Sequence, residues 1–141
     1  LDVGAYLEHR EAKRLDRTAI LGIGAAVEAF PPAGLDFENE DRARCGVVIG
    51  SGVGGIDTIE QSVHTLRDRG PDRINPFTVP RLMANAAAGN VSIRFGLQGP
   101  CSAHATACAS AGHAVGDAVN YIRRGDADVM VTGGTEACVV F

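Results

Sequence analysis

The chain has 141 residues, of which 45% are hydrophobic and 21% charged, a composition typical of one globular domain and not of a disordered chain. Thirteen basic and seventeen acidic residues give a net charge of −4, and the longest basic cluster, Arg123-Arg124, is too small for the basic face that nucleic-acid binding requires. No apolar run approaches the roughly 20 residues of a membrane span.

The first half of the chain predicts a helix, a strand and a second helix. Asp16 is a favourable helix N-cap, and apolar residues at three- and four-residue steps predict a helix to about Ala29, which Pro31-Pro32 end. Residues 44–51 (RCGVVIGS) form a short apolar run rich in β-branched residues, typical of a buried, parallel strand. The second helix ends at Gly70-Pro71, and its apolar positions are Ile56, Ile59, Val63 and Leu66.

The second half predicts a loop, two helices and a strand. Residues 72–80 (DRINPFTVP) contain two prolines and an Asn-Pro pair, which indicate a loop. A helix of small residues is expected from about Arg81 to Phe95, ended by Gly96. After an extended segment at 101–107, a helix is expected from about Cys108 to Arg124, and residues 128–132 (DVMVT) predict another buried strand.

Strands that alternate with helices predict an α/β fold, with helices layered around a mainly parallel sheet. The sequence starts at Leu1 without methionine and stops inside the apolar run 139–141, which would expose a sheet edge. We therefore expect one incomplete domain of a larger protein. The four cysteines have no CxxC spacing, which favours reduced thiols and a cytoplasmic protein.

Residues 50–55 (GSGVGG) match the G-x-G-x-x-G pattern of dinucleotide-binding turns, between a predicted strand and a predicted helix. However, no second strand ends in an acidic residue about 20 residues later, as the ribose contact requires. The Lys-[Ser/Thr] pair of a phosphate-binding loop is also missing. A nucleotide-binding module is therefore the weaker interpretation, and a tight strand-to-helix turn the stronger.

Residues 101–113 (CSAHATACASAGH) contain two cysteines and two histidines, which raises the question of a zinc site. Their spacing matches no common zinc pattern. On a helix, Cys108 and His113 would lie about 140° away from a shared face. A metal site is therefore disfavoured.

Cys108 alone is a candidate nucleophile, because it lies among small residues where an extended segment becomes a helix. Unpaired N–H groups at a helix start favour a thiolate and can stabilise an oxyanion. A buried structural cysteine is the competing interpretation, and the residues alone leave both open. His113 is predicted to point away, and His104 could lie near the sulfur or pack elsewhere, so we expect any base outside this chain.

Residues 99–137 (GPCSAHATACASAGHAVGDAVNYIRRGDADVMVTGGTEA) resemble the active-site region of β-ketoacyl-[acyl-carrier-protein] synthases of the elongating type. That region contains T-A-C-x-S/T, a helix, R-x-G-D-A-D-V-M and a glycine-rich G-G-x-E. The upstream segments CGVVIGSGVGGIDTIE, INPFTVP and NAAAGNVSIRFGLQGP are similar to the same family in the same order. The TACAS sequence favours the fatty-acid enzymes over modular polyketide enzymes.

The resemblance implies a thiolase-like fold of two α/β halves, in which residues 1–141 are part of the N-terminal ketoacyl-synthase domain, without its opening strand and the C-terminal half. It implies that Cys108 accepts an acyl chain from acyl-carrier protein and that its backbone N–H is one oxyanion donor. Decarboxylation of malonyl-carrier protein then supplies the carbanion that extends the chain by two carbons. The catalytic histidines and lysine belong to the C-terminal half, so the isolated chain is predicted to be inactive.

The resemblance further implies a homodimer that pairs through residues 101–107 and an acyl pocket lined by Met83. It implies no metal and no nucleotide cofactor. His104 departs from the family pattern, in which that position is commonly aliphatic. A polyketide-type ketosynthase and a non-catalytic chain-length partner of the same fold remain as alternatives, although the latter normally lacks the cysteine.

Overall fold

The computed structural model of the chain describes residues 2–139, so the last two positions of the apolar run, 140–141, lie outside the described residues. The α-helices of the described part are α1 His9–Ala12, α2 Arg17–Ala33, α3 Ile56–Arg69, α4 Thr78–Leu82, α5 Ala86–Phe95 and α6 Ser110–Arg123. The strands are β1 Cys45–Gly50, β2 Cys101–Ser102 and β3 Val129–Gly134. The order of these elements gives the alternation of strand and helix that the sequence predicts.

The three strands form one parallel sheet with the order β2-β1-β3. The central strand β1 is buried at all six positions. Its register pairs Val47 with Cys101 of β2, and Gly50 with Gly134 of β3. The buried parallel strand and the α/β fold class are therefore confirmed, and the carboxyl ends of β1 and β3 lie side by side.

The core lies on the side of the sheet that α2 and α5 cover. A stripe of α2 and three small residues of α5 are buried against β1, which explains why the latter helix is so rich in alanine. The fully buried side chains Ile23, Val47 and Val91 meet there. Phe30 packs edge-to-face on Phe95, with ring centroids 4.5 Å apart.

Asp16 holds two helices at once. Its carboxylate accepts a hydrogen bond from the Thr18 N–H at 3.0 Å, which caps α2 as predicted. The other oxygen accepts from the Thr58 N–H at 3.2 Å and from the Thr58 hydroxyl at 2.5 Å. Because Thr58 lies in the first turn of α3, one buried carboxylate satisfies the N-termini of both helices.

Three boundaries in the first hundred residues differ from the prediction. Helix α2 continues through Pro31-Pro32 to Ala33, although neither proline has an N–H to donate, and left-handed Gly34 closes its end by donating to the Phe30 and Pro31 carbonyls. The predicted loop at 72–80 contains the start of α4. The alanine-rich helix begins only at Ala86, since Met83 is already extended. The segment 101–107, predicted to be extended, is a strand at Cys101–Ser102, where it pairs with β1.

Two apolar helix faces are open in the described part of the chain. On α3 the predicted stripe faces solvent, with Val63 and Leu66 more than half exposed. On α6 the alanines face the sheet while the larger side chains of the same stripe are exposed: Val115, Val119 and Ile122. None of the described helices is long and apolar enough to cross a membrane.

Candidate active site

Cys108 lies in a single 3-10 turn, Ala107–Ala109, directly before α6. Its side chain is exposed and forms part of the wall of an open cavity of about 510 Å³. The cavity is lined by residues from three segments that the fold brings together: the glycine-rich turn after β1, the first turn of α6, and the segment after β3. The start of α6, predicted at Cys108, is therefore two residues later, at Ser110.

The backbone before the thiol is strained. Ala107 has a φ of 51°, the only described non-glycine residue with a positive φ, and such a conformation costs about 1–3 kcal/mol. The buried hydroxyl of Ser110 holds the turn: it accepts from the Thr106 N–H at 2.8 Å and donates to the Ala107 carbonyl at 2.7 Å. We call Thr106–Ser110 the elbow.

Two glycines at strand ends let the elbow approach the sheet. A Cβ atom on Gly50 would lie 2.4 Å from the backbone carbonyl carbon of Ser110, and one on Gly134 would lie 2.7 Å from the Cβ of Ala111. Both distances are shorter than any real contact, so only glycine fits at either position. The N-cap residue of α6, Ala109, provides no side-chain cap, which leaves the partial positive charge of the helix start beside Cys108.

The turn at residues 50–55 has its own anionic partner. Glu136 accepts from the Gly52 N–H at 2.6 Å and from the Val53 N–H at 3.2 Å. Its other oxygen lies 3.3 Å from the Ser51 hydroxyl, which in turn accepts from the Gly54 N–H at 2.9 Å. A carboxylate of the chain thus occupies the place that a phosphate takes in a nucleotide-binding turn.

The two nearby histidines are bonded to other groups. His104 Nε2 lies 2.8 Å from an Asp117 carboxylate oxygen, and His113 Nδ1 lies 2.7 Å from the Thr106 hydroxyl. The two rings meet edge-to-face with centroids 6.0 Å apart. The histidines therefore brace the segment that leads into the elbow, and the structure offers no bond from either ring to the Cys108 sulfur within the described residues.

The remaining cysteines have different surroundings. Burial raises the pKa of the Cys45 thiol in β1. The neighbouring carboxylate of Glu136 raises the pKa of the Cys138 thiol. Cys101 is exposed in β2. No three His, Cys, Asp or Glu side chains within residues 2–139 are grouped so that they could hold a metal ion.

Met83 does not line the cavity beside Cys108. It lies between α4 and α5, and its neighbours pack against the far side of the glycine-rich turn. A Cβ atom on Gly54 would lie 2.7 Å from the Leu82 carbonyl oxygen and 3.0 Å from the Cα atom of Ala84. The structure therefore places Met83 next to the turn but not in the cavity wall.

Sequence reasoning identified Cys108 but missed Ser110 and Glu136 as parts of the site. Ser110 lies in the quoted TACAS segment, and a serine two residues after a cysteine at a helix start is a possible internal cap. Glu136 is the acidic residue of the G-G-x-E segment. Its partners lie 83–85 residues away, so no local spacing indicates the contact.

Comparison with known proteins gives consistent matches. The family model described as "Beta-ketoacyl synthase, N-terminal domain" matches residues 5–140. The chain is 46% identical over 132 residues to 3-oxoacyl-[acyl-carrier-protein] synthase 2 of Staphylococcus aureus (strain N315), covering 94% of this chain and 32% of that protein. It is 47% identical over 133 residues to the synthase of the same name from Rhizobium meliloti (strain 1021), with the same coverage of both chains. The chain thus spans about a third of the length of these curated relatives.

Solved structures match as well. One is a type II PKS acyl-carrier protein in complex with its ketosynthase bound to the hexaketide (AntDE:AntF). It superposes with a TM-score of 0.92 at 28% identity and covers 97% of this chain and 40% of that chain. The ishigamide ketosynthase/chain length factor superposes with a TM-score of 0.81 at 23% identity over 95% of this chain and 38% of that chain. The predicted thiolase-like fold, with this chain as part of it, is confirmed.

Proposed function

The chain belongs to the β-ketoacyl synthase family, and we propose that Cys108 is the acyl-accepting nucleophile of a condensing acyltransferase in fatty-acid elongation. The observation that carries this proposal is the setting of the thiol. It is exposed at the uncapped start of α6, after a strained residue, in the wall of a cavity of about 510 Å³. The identity of 46% to 3-oxoacyl-[acyl-carrier-protein] synthase 2 supports the choice of reaction.

In the first half-reaction, the thiolate of Cys108 attacks the carbonyl carbon of an acyl thioester on acyl carrier protein. A new C–S bond forms, the carrier thiolate leaves and takes up a proton, and the acyl chain is bound to Cys108. The backbone N–H of Cys108 donates to the oxyanion of the tetrahedral intermediate, and the partial positive charge of the helix start lies beside this developing negative charge.

In the second half-reaction, malonyl-carrier protein loses CO₂, and the electron pair of the broken C–C bond becomes a carbanion at the thioester α-carbon. This carbanion attacks the acyl carbon on Cys108, a C–C bond forms, and the cysteine thiolate leaves. The product is a β-ketoacyl-carrier protein two carbons longer. No role is assigned to His104 or His113, because neither ring is hydrogen-bonded to the Cys108 sulfur within the described residues.

Residues 1–141 are proposed to be part of the N-terminal ketoacyl-synthase domain, with the catalytic histidines, the lysine and the second oxyanion donor in a C-terminal half. The threefold greater length of the curated relatives supports this division. The isolated chain is therefore expected to be inactive in condensation. We place the whole enzyme in the cytoplasm, with no metal and no nucleotide cofactor.

Acyl carrier protein is the proposed partner, and one similar structure is a ketosynthase in complex with its carrier protein. A homodimer is proposed to pair through residues 101–107. The position of β2 at one edge of the three-stranded sheet supports this pairing, because the outer side of that strand is unpaired within the described residues. Met83 is proposed to line the acyl pocket of the whole enzyme, next to the glycine-rich turn.

Intact-protein mass spectrometry after incubation with acyl-carrier protein tests the nucleophile. The complete protein should gain one acyl group, and the Cys108→Ala variant should gain none and make no β-ketoacyl product. Cys101→Ser is the matched control, since Cys101 is also exposed and lies only seven residues away, and serine keeps the side-chain size in the segment proposed for dimer pairing. Normal condensation by Cys108→Ala would refute the proposal and favour a non-catalytic chain-length partner.

A polyketide-type ketosynthase is the second candidate, and the superposition on the AntDE:AntF ketosynthase favours it. The two candidates differ in the acyl groups that they accept. Competition between saturated acyl-carrier proteins and polyketide intermediates separates them, and we expect the saturated chains to be preferred. A nucleotide-binding module is tested by calorimetric titration with NAD(P), for which a flat curve is expected because Glu136 occupies the turn.

A further inference from the structure

Glu136 bridges the end of β3 and the glycine-rich turn after β1, on the wall of the cavity that contains Cys108. Its carboxylate receives two backbone N–H donors and lies near one hydroxyl of the turn. Hydrogen bonds to a charged acceptor are roughly twice as strong as neutral ones. Glu136 is therefore the charged acceptor of the turn, while neutral hydrogen bonds with other parts of the chain hold Ser51, Gly54 and Gly55.

A side chain at residue 52 would crowd this contact and displace the carboxylate. A Cβ atom at Gly52 would lie 2.9 Å from the Glu136 oxygen that accepts the two N–H bonds. Consecutive backbone N–H groups in a glycine-rich turn form a concavity that binds anions. In this chain the anion is the carboxylate of Glu136. The glycines have no side chains, so this carboxylate can approach the backbone N–H groups.

The turn also touches the elbow. The same Cβ position on Gly52 lies 3.5 Å from the Cα atom of Ala107, the strained residue before the nucleophile. On the other side, Thr135 anchors Glu136, because its N–H donates to the Gly50 carbonyl at 3.0 Å and its hydroxyl to the Thr18 carbonyl at 2.8 Å. Glu136 thus connects a fixed point on the sheet to the turn that faces Cys108.

We propose that Glu136 is a positioning residue for acyl transfer. It fixes the backbone of Gly52 and Val53 opposite Cys108, so that the cavity is already shaped when the acyl thioester arrives. This inference rests on the proposed function of Cys108. Glu136 acts through the turn, and its hydrogen bonds within the described residues go to Ser51, Gly52 and Val53 and not to the Cys108 sulfur.

The expected effect falls on the chemical step. In the complete protein, Glu136→Ala should lower the rate constant of Cys108 acylation by about 10- to 100-fold, because a misplacement of about 1 Å can cost 100-fold in rate. The Michaelis constant for acyl-carrier protein should change by less than about threefold, since a carrier protein is too large to bind inside a cavity of about 510 Å³. Glu136→Gln should recover most of the rate, because the amide oxygen can still accept from both N–H groups.

Rapid-quench acylation followed by mass spectrometry measures these rates, and Glu38→Ala is the control for loss of an exposed carboxylate. A merely structural role would lower the melting temperature without the split between rate and Michaelis constant. Hydrogen exchange of the Gly52 and Val53 amides provides a second measurement, and exchange should be faster in Glu136→Ala than in Glu136→Gln. If the alanine variant does not fold, hydrogen exchange of these two amides in Glu136→Gln still tests the inference.

The inference is overturned if Glu136→Ala acylates at the wild-type rate, or if Glu136→Gln is as slow as Glu136→Ala. Failure of the proposed function has a different result, since the wild-type protein would then form no thioester on Cys108 at all. Alkylation of Cys108 by iodoacetamide should proceed in all variants, because that small reagent does not need the shaped cavity.

Discussion

Replacement of Ser110 by alanine tests whether the elbow is held in its strained form by one hydroxyl. Ser110 is buried, and its hydroxyl accepts from the Thr106 N–H and donates to the Ala107 carbonyl. Each such bond contributes about 0.5–1.5 kcal/mol, so Ser110→Ala should destabilise the elbow by about 1–3 kcal/mol. The strain at Ala107, of similar size, then favours relaxation of the turn away from a φ of 51°.

Hydrogen exchange measures this locally in the complete protein. A loss of 1–3 kcal/mol corresponds to about fivefold to 150-fold faster exchange of the Thr106 amide, if that amide exchanges through local opening. Acylation of Cys108 should slow in parallel. Ser62→Ala is the matched control, because it removes a hydroxyl that bonds to Thr58 and Thr78 without touching the elbow.

A second substitution sharpens the test. Glycine adopts a positive φ without a Cβ penalty, so Ala107→Gly in the Ser110→Ala background should restore part of the acylation rate. The reasoning is refuted if the Thr106 amide of Ser110→Ala exchanges within twofold of its rate in the Ser62→Ala control. It is also refuted if Ala107→Gly restores nothing, since strain would then not be what the hydroxyl opposes.

Two further predictions concern packing and charge. Gly50→Ala should destabilise the protein by at least about 1–3 kcal/mol in thermal unfolding, because the new Cβ atom would overlap the Ser110 backbone. Gly116→Ala, with open space around the new methyl group, should be neutral or stabilising. Equal melting temperatures for the two variants would contradict the geometry. The hydrogen bond from Arg44 lowers the pKa of Asp128. The stabilising effect of the Arg44–Asp128 pair should therefore be complete above the ordinary pKa of an aspartate and be lost as the pH falls through the lowered pKa of Asp128. In Arg44→Ala, the melting temperature should no longer fall with pH over that acidic range for this reason.

The parts of the fold that could be predicted from the sequence are those set by the local spacing of apolar residues and by the glycines and prolines that end each element. The buried strand at β1 and the helix α3 follow from apolar spacing between glycines and prolines, and both have nearly the predicted limits. The predicted end of α2 is wrong because Pro31-Pro32 remain helical, and the helix ends only at Ala33 before left-handed Gly34.

Contacts between distant segments could not be predicted in this way. Asp16 was identified as the cap of α2, yet its second set of bonds reaches Thr58, 42 residues later. The extended segment 101–107 pairs with β1 at its first two residues, and its next bond to that part of the chain is from the Ser51 N–H to the His104 carbonyl, which no local pattern indicates. Alanine carries a Cβ atom and rarely adopts a positive φ, so the sequence gives no indication that Ala107, directly before Cys108, is strained.

The glycine-rich turn shows why one pattern supported two interpretations. A G-x-G-x-x-G segment specifies a backbone with free N–H groups and little side-chain bulk, and that property is common to a phosphate site and to a turn that packs closely. What distinguishes them is the group that reaches the N–H donors, and here it is the chain's own Glu136. The same absence of bulk at Gly50 allows Ser110, and with it the elbow, to lie against the end of β1. Both features determine the surroundings of Cys108. The glycines let the start of its helix lie against the sheet, and the Glu136 carboxylate fixes the turn that forms another part of the cavity wall.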